Sequence, residues 1–310
     1  MKIFKPKFWD ENYLTFFSLL FFPFSFIYQI VLKFRNSSVK ERSFEIPIIC
    51  VGNIYIGGTG KTPLSIKLFK LFRDWGKNPI IVRKSYKDHT DEISLIKKYC
   101  KILTAKKRVE AVEIAIREKH DIIILDDGFQ DLSIKKNLNI VCFNNQQKIG
   151  NGFTIPSGPL RESLGSLMRS DLVLINGKKD LQFEQKLKTY NDKLKFFYFD
   201  YFAKNLKEFQ NKRVVAFAGI GNPENFFLFL KNNRINLIKE ISFPDHYNYS
   251  EKDLDFLDKT QKENNAKLLT TEKDYLRINQ IFRKKYNSIH IDVVLENDDL
   301  FKKEINKFLK

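Results

Sequence analysis

The sequence predicts an α/β fold with a mostly parallel sheet covered by helices on both faces. Three observations lead there. Short runs rich in Ile, Val and Leu recur along the chain, beginning with 46–51 (IPIICV). They alternate with stretches of helical period, and strands that alternate with helices build parallel sheets buried on both sides. A glycine cluster, Gly57, Gly58 and Gly60, falls between the first such strand and the first such helix.

The elements follow in order. After the 46–51 strand, 63–75 has helical period and 78–82 (NPIIV) is the next strand. The polar stretch 83–92 reads as a loop. A helix over 107–119 carries Val109, Val112, Ala115 and Ile116 on one face. Strands follow at 121–125 (DIIIL), 138–143 and 171–175 (DLVLI). Around 196–211 the pattern turns aromatic and polar. A second αβ series opens at 213–218 (RVVAFA), followed by a helix over 222–232 and a strand over 237–243. The helix over 250–264 has Ser250 as N-cap and Asp253 three residues on, a variant capping box. Strands at 267–270 and 288–294 and a closing helix over 297–310 complete the chain. Neither an internal repeat nor a low-complexity linker marks a boundary. The change near residue 200 divides a core over 43–200 from a lobe over 201–310, with 1–42 as a separate helical segment.

The chain has 310 residues, 43% hydrophobic and 29% charged. That is globular composition and excludes a disordered or collagen-like chain. Lys+Arg is 54 and Asp+Glu 37, a formal charge of +17. Such a surplus favours phosphate-bearing partners, or is simply a solvated lysine-rich surface. No helix-turn-helix or RNP-type motif supports a nucleic-acid partner. Cys50, Cys100 and Cys142 lie far apart beside apolar runs, so they read as buried thiols rather than a zinc site or a disulfide framework. A reducing compartment suits them.

From Tyr13 to Leu32 there is no charged residue (YLTFFSLLFFPFSFIYQIVL). Twenty helical residues reach ~30 Å, enough to span a bilayer. Thr15, Ser18, Pro23, Ser25 and Gln29 interrupt the run, and basic residues flank both ends (Lys2, Lys5 and Lys7; Lys33, Arg35, Lys40 and Arg42). That symmetry gives no orientation. Phe16, Phe17, Leu20, Phe21, Phe24, Ile27 and Tyr28 recur at helical spacing, consistent with a core helix or with a helix in the membrane interface. The aromatic excess and basic flanks favour the interface, with lipid phosphates meeting the basic residues.

The sharpest motif is Gly57-Gly58-Thr59-Gly60-Lys61-Thr62, set between strand and helix as a P-loop requires. Glycines let backbone N–H groups close on phosphate oxygens, and the helix N-terminus adds partial positive charge. Lys61 would reach the β and γ phosphates, and the Thr62 hydroxyl would ligate Mg²⁺. The strict G-x-x-x-x-G-K-[ST] pattern has Tyr55 at its first position. The strand 122–125 runs into Asp126-Asp127, the acid a Walker B element places beside the metal. Three weaker candidates remain. Arg161 and Glu162 follow Gly158-Pro159-Leu160. His246 follows Asp245 after a strand, where it could move a proton or cap the strand end. The run Thr270-Thr271-Glu272-Lys273-Asp274 suits a helix N-cap with an exposed charged first turn. His89, His120 and His290 read as surface residues.

Taken in order, these motifs resemble one family, the tetraacyldisaccharide 4′-kinases of lipid A synthesis in Gram-negative bacteria. The resemblance rests on VGNIYIGGTGKTP (51–63), Asp91-Glu92, DDGFQ (126–130), GNG (150–152), SGPLRE (157–162), AFAGIGNP (216–223), FPDH (243–246) and TTEKD (270–274). It implies a P-loop α/β/α core, a second, smaller α/β/α lobe joined by a β-ribbon, and an N-terminal helix at the cytoplasmic face of the inner membrane. It implies transfer of the γ-phosphoryl of ATP to the 4′-hydroxyl of a tetraacylated glucosamine disaccharide 1-phosphate, giving lipid IVA. The implied ATP site is Tyr55, Ile56, Gly57, Gly58, Thr59, Gly60, Lys61, Thr62 and Arg161, and the implied Mg²⁺ ligands are Thr62, Asp126, Asp127 and Glu162. Asp91 matches the catalytic aspartate and His246 the histidine paired with it, acting with Lys61. Departures cluster on the implied acceptor side of the site. The family's S-R-G-Y-G is Arg83-Lys84-Ser85-Tyr86-Lys87 here, G-D-E-P is Thr90-Asp91-Glu92-Ile93, and Ser163 follows R-E in place of Pro. A kinase for another membrane glycolipid, or a membrane-bound ATPase switch indifferent to Asp91 and His246, are the alternatives.

Overall fold

The computed structural model describes residues 5–11, 13–85 and 90–309, with Thr90 as backbone. In chain order the elements are α1 (Phe16–Ser37), β1 (Ile48–Gly52), α2 (Lys61–Asp74), β2 (Pro79–Lys84), α3 (Thr90–Tyr99), β3 (Ile102–Ala105), α4 (Arg108–Arg117) and β4 (Ile122–Asp126). Then come β5 (Leu138–Asn144), β6 (Leu172–Asn176), α5 (Leu181–Lys188), β7 (Lys195–Ala203), β8 (Arg213–Ala218), α6 (Pro223–Asn232) and β9 (Asn236–Ser242). The last are α7 (Glu251–Glu263), β10 (Lys267–Thr271), α8 (Glu272–Arg277), β11 (Asn287–Ile289), β12 (Ile291–Leu295) and α9 (Asp298–Asn306).

The strands form two sheets, ordered β12-β7-β6-β5-β1-β4-β2-β3 and β11-β10-β8-β9. From β7 to β3, and throughout the second sheet, every pairing is parallel. The chain packs as two compact units. The larger comprises Pro6–Ser85, Tyr99–Tyr201 and Val293–Lys310; the smaller includes Phe202–Asp292 and the described part of Tyr86–Lys98. Residues 293–310, grouped by sequence with the C-terminal lobe, therefore pack with the larger unit.

In the larger unit β1 and β4 are buried along their whole length. The β-branched composition of IPIICV and DIIIL suits a strand with no solvent face. β1 sits between β4 and β5, where the chain's crossovers change direction. Loops at the carboxyl ends of such strands border the crevice in which open α/β sheets bind ligands. In the smaller unit, the capping box at Ser250 and Asp253 is present at the start of α7.

Several expectations are corrected. The stretch 83–92 is not all loop, because α3 starts at Thr90 and puts Asp91 and Glu92 in its first turn. Negative charge there is favoured by the helix dipole. Tyr86, Lys87 and His89 lie outside the described residues. His120 is buried, with Nδ1 3.1 Å from the Asn78 carbonyl. The aromatic stretch from 196 belongs to β7, in which Tyr198, Phe199 and Ala203 are buried, cover that a sequence alone does not reveal. The 288–294 run is two strands, parted at His290. Two short elements, β3 and α5, are additional to those expected. All three cysteines are buried.

The N-terminal helix resolves the mixture in its sequence. Its buried residues are Ser18, Ser25 and Leu32, while Phe16, Phe24, Ile27 and Phe34 are exposed. The polar residues face protein. The Ser25 hydroxyl donates to the Thr154 carbonyl (2.8 Å) and accepts from the Ser157 N–H (2.9 Å). Tyr28 donates to the Arg161 carbonyl (2.9 Å), and Gln29 to Thr154 Oγ1 (3.2 Å). Asn151 of the GNG turn donates to Ser18 Oγ (3.1 Å) and to the Ser157 carbonyl (2.9 Å). The helix is long and apolar enough to cross a membrane, yet only 11% of its most apolar stretch is buried within the protein.

Candidate active site

Two clusters hold the residues singled out in the sequence, one in each unit. In the larger unit, the chain leaves β1 and turns through the glycines into α2. Gly57 and Gly60 have φ of +121° and +90°, a region other residues rarely enter. A side chain at Gly60 would strike Phe199 and Tyr201 of β7 at 2.7 and 2.8 Å, whereas Gly58 faces open space. Glycine enters this region without the Cβ clash that other residues meet. Burial of Leu64, Leu68 and Phe72 anchors α2, at about 1.5–3 kcal/mol per side chain.

The end of β4 locks onto this turn. Asp126 is fully buried and accepts hydrogen bonds from Ser65 (2.8 Å), from Thr62 (3.4 Å) and from the Arg83 guanidinium. Thr62 and Asp126 are thus brought together, as a Walker A and Walker B pair requires. Asp127, at φ +54°, turns away and meets Arg161 at 2.8 Å and Lys61 at 3.7 Å. Burial raises the Asp127 carboxyl, but Lys61, Arg161, Arg83 and Arg108 outweigh it and hold the group well below the usual carboxylate range. Gln130 donates to the Asn53 carbonyl (2.7 Å) and accepts from Arg161 (3.5 Å). Close approach of this turn to β1 needs Gly52, where a Cβ would lie 2.4 Å from that of Phe129.

The other expected residues have partners of their own. The Tyr55 side chain is buried and its hydroxyl donates to Asp10, so only its backbone borders the turn. The Ile56 N–H is taken by the Pro159 carbonyl (2.8 Å), and the Arg161 N–H by that of Ile54 (2.6 Å), which pins the 159–161 segment beside the turn. The Thr59 hydroxyl is buried without a hydrogen-bond partner. Glu162 is buried against Arg169 at 2.8 Å. Among the described residues no three of His, Cys, Asp and Glu stand together as a metal cage. A Thr hydroxyl beside a carboxylate nevertheless fits a hard divalent cation that keeps waters and phosphate oxygens as its other ligands.

In the smaller unit, Asp91 and His246 form a pair, with His246 Nδ1 3.2 Å from Asp91 Oδ1. His246 also has positive φ (+54°), and its N–H donates to the Gly219 carbonyl (3.1 Å). Arg277 Nε donates to Asp91 Oδ2 (3.0 Å), Nη2 reaches the same oxygen, and Lys273 Nζ is 3.6 Å from it. Burial by itself pushes Asp91 up. The His246 hydrogen bond and the charges of Lys273 and Arg277 outweigh it and hold the carboxyl well below its ordinary value. The TTEKD segment departs from expectation in part. Thr271 caps α8, but Glu272 and Asp274 in the first turn are buried, not exposed.

Arg83, Ser65 and Arg277 were not singled out from the sequence. Ser65 stands three residues after Thr62 on the helix face that meets Asp126, which helical spacing could have shown. Arg83 and Arg277 carry no such signal, because a basic residue next to a strand or helix end is ordinary in a chain this basic.

Arg83 and Asp126 are both nearly sealed from water. Arg83→Ala would leave a buried carboxylate without its cation, a loss of about 3–5 kcal/mol. Urea unfolding is expected to show a fall of that size, and an unchanged midpoint would mean that Asp126 finds water or another partner.

Residues 17–310 match the family model for tetraacyldisaccharide-1-P 4′-kinase, LpxK. The chain is 41% identical to the tetraacyldisaccharide 4′-kinase of Pelagibacter ubique over 91% of its length and 90% of that protein. It is 34% identical to the tetraacyldisaccharide 4′-kinase of Rickettsia typhi over 99% of both. A crystal structure of LpxK from Aquifex aeolicus in complex with ATP superposes with a TM-score of 0.70 at 24% identity, covering 94% of this chain and 99% of that one, so it shares the fold. With motifs, fold and relatives in agreement over nearly the whole length, the chain belongs to the tetraacyldisaccharide-1-P 4′-kinase family.

Proposed function

We propose that this protein is an ATP-dependent kinase that phosphorylates the 4′-hydroxyl of a tetraacylated glucosamine disaccharide 1-phosphate, the lipid A step that yields lipid IVA. The observation that carries the reading is the pairing of Thr62 with Asp126 at the mouth of a glycine turn between β1 and α2. The turn from Tyr55 through Thr62 holds ATP, chiefly through backbone N–H groups. Lys61 and Arg161 meet the phosphate charge. Thr62 and Asp126 would hold Mg²⁺, which would neutralise phosphate charge there, while the other two expected ligands are engaged elsewhere, Asp127 with Arg161 and Glu162 with Arg169.

The acceptor hydroxyl is served by Asp91 and His246. The hydroxyl oxygen bonds to the γ-phosphorus as the bond from that phosphorus to the β–γ bridging oxygen breaks. ADP leaves, and the proton passes to the Asp91–His246 pair. Because the transition state is loose, most of the work is positioning and charge neutralisation rather than strong base catalysis. A carboxylate with a strongly lowered pKa suits an orienting role in such a pair.

The acyl chains of this substrate stay in a bilayer, so the enzyme must meet them there. The exposed aromatic face of α1 supports a seat in the interface at the cytoplasmic face of the inner membrane. Its polar stripe is bound to the 151–161 segment that leads to Arg161, which ties the lipid contact to the phosphate site.

The test is transfer of labelled γ-phosphate from ATP to tetraacyldisaccharide 1-phosphate in detergent micelles. Metal-dependent formation of the bisphosphorylated lipid is expected. Lys61→Ala should abolish it, and Asp91→Ala should lower kcat by on the order of 10²-fold or more while ATP still binds. ATP hydrolysis without lipid, indifferent to Asp91, would instead favour the switch. For the membrane contact, Phe16→Gln/Phe24→Gln/Ile27→Gln leaves the polar stripe intact and should abolish flotation with anionic vesicles; persistent flotation would place the contact elsewhere.

A further inference from the structure

The Asp91–His246 pair is held by a chain of contacts that its proposed role does not itself require. Asp274 is fully buried at the start of α8. Its Oδ1 accepts from the Gly219 N–H (3.0 Å), the Tyr249 hydroxyl (2.9 Å) and Arg277 Nη1 (2.9 Å). Its Oδ2 accepts from the Thr271 hydroxyl (2.7 Å). A carboxylate with this many donors cannot swing. The Arg277 guanidinium is then used on two sides. Nη1 is fixed by Asp274 and by the Gly219 carbonyl, while Nε and Nη2 converge on Asp91 Oδ2. This leaves Asp91 Oδ1 for His246.

Gly219 is the common anchor. Its N–H meets Asp274, and its carbonyl takes both Arg277 and the His246 backbone N–H. A Cβ there would stand 3.1 Å from the Pro244 carbonyl and 3.2 Å from Asp274 Oδ1, so a side chain would push these neighbours back by a few tenths of an ångström. Lys273 does not duplicate Arg277. Its Nζ lies 2.7 Å from Glu92 and 3.6 Å from Asp91.

We propose that Arg277, fixed by Asp274 and Gly219, is a positioning residue that sets the orientation of the Asp91–His246 pair. The proposal rests on the reading of that pair as the acceptor-side machinery. Its physical basis is the planar fork of arginine, which fixes direction as well as charge, where the lysine ammonium supplies charge alone. Among the described residues, the groups that face Asp91 are His246, Lys273 and Arg277, with Glu92 next to Asp91 and bound to Lys273, Asp245 beside the histidine and Asp274 behind the arginine. The sign follows. Arg277 favours ionised Asp91, so loss of its charge raises the Asp91 pKa and moves the acid limb of kcat to higher pH.

The experiment compares Arg277→Met, Arg277→Lys and Asp274→Asn with the full-length wild type and with Asp91→Ala. Phosphoryl transfer to tetraacyldisaccharide 1-phosphate is followed across pH, and thermal unfolding reports the fold. Arg277→Met should lower kcat by on the order of 10²-fold, leave KM for ATP unchanged, and move the acid limb upward, toward the accessible pH range. Arg277→Lys should keep the acid limb near its wild-type position without restoring kcat, which separates charge from direction. Should Arg277→Met fail to fold, Asp274→Asn carries the test. It loosens the anchor but keeps the Arg277 charge, and a lowered kcat at unchanged KM is expected. A folded Arg277→Met or Asp274→Asn variant with wild-type kcat and an unmoved acid limb overturns the proposal. Wild-type kcat in Asp91→Ala overturns instead the reading on which it rests.

Discussion

A carboxylate buried at the end of a parallel strand organises the larger unit. Asp126 has no water to solvate it, so every lone pair must find a donor in the protein. Ser65 and Thr62 come from the first turns of α2, and Arg83 from the end of β2. Satisfying one charge thus joins β4, β2 and α2 at the carboxyl edge of the sheet. The glycine turn is held in shape between β1 and α2 as a consequence. This is a stringent constraint, because desolvating a carboxylate costs several kcal/mol and the paired cation recovers it only with good geometry.

The adjoining Asp127 shows the other use of such a position. Its positive φ turns it out of line with the strand, toward Lys61 and Arg161. Two consecutive aspartates therefore have different surroundings, one sealed inside the scaffold and one beside Lys61 and Arg161. The second cluster follows the same logic. His246 also has positive φ, and its backbone is tied to the carbonyl of a glycine that also anchors Arg277. In both units a residue in a sparsely populated conformation stands beside a buried charge network. Such strain persists only where the surroundings over-determine it.

α1 illustrates how composition can mislead and structure can reconcile. Its serines, tyrosine and glutamine look like defects in an apolar span. They are the stripe by which the helix is hydrogen-bonded to the 151–161 segment, and they leave the aromatic surface facing outward. The helix is docked by hydrogen bonds along one face and keeps its apolar side chains exposed on the other.

Much of this was legible in the residues. Strand composition and helical period identified β1, α2, β4 and most of the second αβ series, because burial on both faces of a parallel strand leaves an unmistakable apolar run. The spacing G-K-T before a helix and Asp-Asp after a strand singled out Thr62 and Asp126, which the fold brings together because they stand after and at the carboxyl ends of the neighbouring strands β1 and β4. Tertiary structure decided the rest. It placed Asp91 on a helix rather than a loop, turned the TTEKD acids inward, and put the 293–310 tail with the larger unit. It also supplied Arg83 and Arg277, whose partners are 43 and 186 residues away in sequence. Local patterns report which face of an element is buried. They carry no record of which distant charge will close on a carboxylate once water has been excluded.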